Sequence, residues 1–179
     1  MKLRKWFCVL ACSMAICTLA SAHERGAHVH GTATLQITLE ENTLTLTLDT
    51  PLNNLVGFEH VPRTQQQKNT VHYIIEKLRQ PEMLFGLTPA AQCLPSGVTL
   101  TAPLLGLGTS EKMHPEKNDG HAGLTAEINF TCTSPAAMKE IDVKLFREFN
   151  RLHLLNAQIV RARGQSASRL TPKNPRILW

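Results

Sequence analysis

The chain has 179 residues, 42% hydrophobic and 18% charged, with ten glycines and ten prolines. That length suits one domain and is too short for two comfortable ones, and the composition excludes collagen-like, coiled-coil, disordered and polytopic membrane chains. Formal charge is +5, but aromatics make up only 5%, with one Tyr and two Trp, too few for base- or sugar-stacking platforms.

Residues 1–22 read as a signal peptide. Lys2, Arg4 and Lys5 form a basic start, Trp6 to Ala20 is uncharged and mostly apolar, and Ala20-Ser21-Ala22 offers a small-x-small cleavage site before His23. Fifteen apolar residues are short for a membrane span, and no basic stop-transfer cluster follows. The expectation is export across the inner membrane to the periplasm, with 23–179 as a single domain and no membrane span after cleavage.

Three of the 19 basic residues lie in that segment and none of the 14 acidic ones, so the remainder carries 16 against 14, or +2. Such a near-neutral surface gives no electrostatic footprint for nucleic acid. Of five cysteines, Cys93 and Cys132 remain, an even pair in an oxidising compartment. They are expected to form a disulfide, with paired thiolates on a metal as the alternative. Closing about 40 residues would stabilise the fold by ~4 kcal/mol. All eight histidines lie beyond residue 22, which points to metal or pH chemistry.

The first element is a hairpin. Leu35, Ile37 and Leu39 alternate with polar residues, as do Leu44, Leu46 and Leu48, around a turn at 40–43 with Asn42 as its positive-φ residue. Pro51 ends the second strand and 57–62 reads as a loop. A helix is expected at about 65–80: Thr64 and Gln67 fit a capping box, Val71, Ile74, Ile75 and Leu78 recur at helical spacing, and Pro81 stops the run. His72 and Glu76, four apart on it, read as a solvated face rather than half a metal site.

Val98 to Leu107, interrupted by Pro103, is expected as an edge or irregular strand. Residues 109–123 hold Glu111, His114, Glu116, Asp119 and His121 and read as an exposed polar loop. Leu124 to Cys132 alternates as a strand. Ser134-Pro135 should open a short helical turn, followed by a strand through Ile141, Val143 and Leu145. Leu155, Ala157 and Ile159 mark another strand, Gly164 a turn, and 176–179 a last short strand. The sum is an α+β domain, mostly antiparallel sheet with one good helix.

The main chemical feature is His28-Val29-His30 ahead of the first strand. On an extended chain i and i+2 face one side, so both imidazoles could reach one zinc ion, with Glu59 or His60 completing a tetrahedron. His121, and more weakly His114, could join from the polar loop. A second reading uses the processed terminus: the α-amine and imidazole of His23, with His28 or His30, would suit copper(II). A third is an envelope interaction module with incidental histidines. Gly-x-Ser-x-Gly, His-Glu-x-x-His and phosphate-binding glycine loops are absent from the sequence, and the expectation is a protein that is not an enzyme.

Several stretches together resemble a known family: His28-Val29-His30-Gly31, the hairpin with Pro51, Gly57-Phe58-Glu59-His60-Val61-Pro62, Leu84-Phe85, Cys93, His121, Phe130, Cys132, Leu145-Phe146, Gly164-Gln165 and Leu170-Thr171. The chain is similar to the ZrgA-like periplasmic zinc-binding proteins of Gram-negative bacteria, over nearly all of residues 23–179. The resemblance implies a periplasmic protein that binds zinc and assists its uptake beside a zinc ABC importer or its periplasmic binding protein. Family members often carry a long His/Asp-rich tract where this chain has only 109–123. A single ordered site near His28, His30, Glu59 and His60 is therefore expected rather than multi-ion storage.

Overall fold

A computed structural model describes residues 29–108, 122–161 and 164–179. The signal segment expected at 1–22 lies outside them, as do His23, His28, His114 and His121.

The hairpin forms as its alternation dictates. β1 (Thr32–Glu40) and β2 (Thr43–Pro51) pair antiparallel from Thr34↔Asp49 to Glu40↔Thr43. Leu35, Ile37, Leu44, Leu46 and Leu48 are buried. Burying a side chain of this size stabilises by about 1.5–3 kcal/mol, so the inner faces of these two strands alone anchor a sheet. The turn differs in detail from expectation. Glu41, not Asn42, takes the positive φ of 50°, while the Asn42 carbonyl accepts a hydrogen bond from Cys132 N at 2.8 Å.

Pro51 leads into α1 (Leu52–Val56), a helix too short to show a period in the sequence. α2 (Gln65–Leu78) starts on the expected capping box of Thr64 and Gln67 and buries Val71, Ile74 and Leu78. It ends two residues before the expected limit. Pro81 becomes the first residue of α3 (Pro81–Leu84), where its missing N–H costs nothing.

β3 (Phe85–Leu87) and β4 (Cys93–Thr101) follow, then β5 (Gly123–Cys132), β6 (Glu140–Val143), α4 (Leu145–Glu148), β7 (Leu154–Arg161), β8 (Gly164–Leu170) and β9 (Arg176–Leu178). Six strands form one sheet in the order β4-β5-β2-β1-β7-β8, and β3-β6-β9 form a second. Every pairing is antiparallel except β1 with β7. This is the expected α+β class with antiparallel sheet dominant.

β4 is an edge strand with a register shift between Pro95 and Gly97, and it begins five residues earlier than the sequence suggests. Cys93 and Cys132 face each other across β4 and β5 and form the expected disulfide. Ser134-Pro135 opens a single 3-10 turn before β6, as expected, but the strand stops at Val143 and Leu145 begins α4 instead of continuing it. Among the described residues no helix is long and apolar enough to cross a membrane.

Candidate metal site

His30 does not continue β1. Thr32 N donates to Val29 O at 3.0 Å and Gly31 has φ +82°, so the chain turns at His30-Gly31 before the strand begins. The other histidine of the expected pair, His28, lies outside the described residues. The left-handed backbone is open to glycine without penalty. A Cβ at Gly31 would also come 3.1 Å from the His153 ring.

Two elements hold this turn. On one side the parallel pairing of β1 with β7 brings Thr32 opposite Leu154, and the Gly31 carbonyl accepts from His153 N (2.8 Å) and Leu154 N (2.9 Å). On the other, Asn54 of α1 is 1% exposed. Its Oδ1 accepts from Gly31 N at 2.7 Å, and its Nδ2 donates to Thr32 O (2.9 Å) and Thr50 Oγ1 (3.0 Å). A buried amide so satisfied fixes one arrangement of its neighbours.

Glu59 arrives from the loop after α1. Gly57, with φ +85°, caps that helix by donating to Asn53 O at 3.1 Å and reverses the chain. The result places Glu59 Oε1 3.0 Å from His30 Nε2, with the two side chains 32% and 60% exposed. An exposed ion pair contributes at most about 1 kcal/mol to folding. As co-ligands the two fit well: nitrogen and oxygen each about 2.0–2.1 Å from a tetrahedral zinc stand about 3.3 Å apart.

His60 is stacked on Phe58, ring centroids 5.0 Å apart. Its Nδ1 lies 2.9 Å from the Val61 carbonyl, which can only accept, so Nδ1 is the donor of that contact and Nε2 is the ring nitrogen turned to other partners. Among the described residues, however, no three of His, Cys, Asp and Glu gather as a ligand set. The structure brings Glu59 to His30 and does not add His60 to that pair. His72 is exposed on α2, and Glu76 pairs with Arg79 at 3.7 Å.

Beside His30 lies a cavity of about 410 Å³ lined by His30, Gly31, Asn53, Asn150, Arg151 and His153. The last three were not singled out from sequence. Their approach to His30 depends on the pairing of β1 with β7, and a register between residues 122 apart, as Thr32 and Leu154 are, leaves no periodic signal.

The described fold is an α+β domain that brings a histidine and a carboxylate into contact on its surface. The chain belongs to the ZrgA family of zinc uptake proteins, whose family model matches residues 27–179. No curated protein matches the chain.

Proposed function

We propose that the protein is a non-enzymatic periplasmic accessory of zinc uptake that captures zinc at His30 and Glu59. The carrying observation is the 3.0 Å approach of His30 Nε2 to Glu59 Oε1 in a family of zinc uptake proteins. Zinc takes the place of the proton between them, so both become direct ligands. His28, at most about 7 Å of chain from His30, is proposed as a further nitrogen ligand. His60, next to Glu59 in the chain with its Nδ1 on the Val61 carbonyl, and His121 are the remaining candidates. With His30 and Glu59 on an exposed rim, the ion stays accessible to exchange, as delivery to an importer or its binding protein requires.

The test is growth of cells lacking this protein in chelator-depleted medium. Wild-type chain should restore growth and zinc content, while the double variant His30→Ala, Glu59→Ala, exported to the same level, should not. Full rescue by that variant would refute the assignment.

A further inference from the structure

The cavity beside His30 carries an inference that needs no bound metal. Asn53, Asn150, Arg151 and His153 line it with His30 and Gly31, and no carboxylate stands on its walls. Two glycines of positive φ make room for its nitrogen-bearing side chains. A Cβ at Gly57 would come 3.1 to 3.3 Å from Nε, Nη2 and Cζ of Arg151, and one at Gly31 would come 3.1 Å from the His153 ring. Among the described residues, the side chains of Asn53, Asn150, Arg151 and His153 make no hydrogen bond to the protein. Arg151 also takes part in none of the ion pairs among those residues. A planar guanidinium, two amides and an imidazole thus keep their donors for a ligand.

The distribution of charge fixes the sign of that ligand. Residues 139–179 hold nine Lys or Arg against three Asp or Glu, whereas residues 23–138 hold seven against eleven. The pairing of β7 with β8 sets Leu155 opposite Leu170 and Asn156 opposite Arg169. Arg169 and the turn at 171–174, with exposed Lys173, therefore lie at the end of the sheet where Arg151 and His153 stand. Neither cation is ion-paired among the described residues. Unpaired positive charge around a cleft raises the local concentration of anions.

We propose that the cavity is a binding site for a phosphate group. The guanidinium fork takes two of its oxygens, and the others accept from the Asn53 and Asn150 amides and the His153 ring N–H. A carboxylate has only two oxygens, which the fork alone would occupy, so the wider donor set suits the tetrahedral anion. The group reaches the protein either as free phosphate or on the headgroup of a lipid.

The test titrates inorganic phosphate into the metal-stripped mature chain at constant pH and ionic strength, following the NMR resonances of the His153 ring. They should shift saturably. In Arg151→Gln the half-saturating concentration should rise about tenfold, the loss of one charge-assisted hydrogen bond, and Arg151→Lys should recover part of it. Asn150→Ala, at an exposed position, should raise it about threefold, as loss of a neutral hydrogen bond does. Cosedimentation with phosphatidylcholine vesicles that contain phosphatidic acid separates the two sources. Binding that needs the phosphatidic acid and falls in Arg151→Gln assigns the site to a lipid headgroup, and saturable phosphate binding without vesicle binding assigns it to the free anion. Resonances indifferent to phosphate, or equal affinity in wild type and Arg151→Gln, would overturn the inference. Because no metal is present in this titration, its failure leaves the zinc reading untouched.

Discussion

The Asn54 side chain of α1 holds the backbone of Gly31, with its Oδ1 2.7 Å from Gly31 N, and so ties the His30 turn to the helix that leads to Glu59. Both halves of the candidate site hang on this one buried amide. Asn54→Ala would leave Gly31 N and Thr32 O without their partner. Each such loss costs about 1–3 kcal/mol, so the denaturant midpoint should fall by an amount equivalent to at least the lower figure. Zinc affinity should weaken with it, because His30 is released from its position. An unchanged midpoint would show that the amide is dispensable.

Glu59 is assigned as a direct ligand, and the size of its effect tests that. Glu59→Ala should lower zinc affinity by more than about 100-fold, beyond the ~10–100-fold typical of a residue that only orients a ligand. A loss within that lower range in a competition assay with a chromophoric chelator would demote Glu59 to an orienting role.

The disulfide joins residues 39 apart in sequence and pins edge strand β4 to β5. Replacing Cys93 and Cys132 by Ser should cost about 4 kcal/mol through the freed loop in the unfolded chain. Chemical unfolding with and without reductant checks it, and the wild-type protein in reductant should behave as the double variant does.

Lys77 and Glu148 form an ion pair between α2 and α4. The hydrogen bond to Glu148, followed by that to Tyr73, holds the Lys77 ammonium above the usual lysine range. A raised folded-state pKa stabilises below the unfolded value and loses that contribution as pH rises through the folded one. The melting-temperature difference between wild type and Lys77→Met should therefore be constant from neutral pH to about pH 9 and shrink above about pH 10.4. A difference that persists unchanged at high pH would mean that packing, not charge, is responsible.

The parts of the fold legible in the sequence are those whose signal is local. Leu35 through Leu48 show period two, and Thr64 with Gln67 show a capping box, so hairpin and helix follow from short windows. The α1 segment, five residues long, and the exposed β8 run Gly164–Leu170 carry no period, and both are made by their neighbours. The site divides in the same way. His30 and Glu59 stand out as residue types, but their meeting depends on the loop between α1 and α2, whose geometry no local pattern encodes. The turn at Gly31, set by Asn54 and by β7, is made by contacts from distant parts of the chain and left no local signal beside His30. Arg151 and His153 reach the site only through a parallel pairing that no local pattern encodes.

The most direct test of the account is calorimetric titration of zinc into metal-stripped mature protein with a mass-verified N-terminus, alongside the His30→Ala, Glu59→Ala variant. The account predicts one zinc per chain, bound with sub-micromolar affinity and lost in the variant. Tight zinc binding that survives the double substitution, or copper bound tightly where zinc is not, would contradict it.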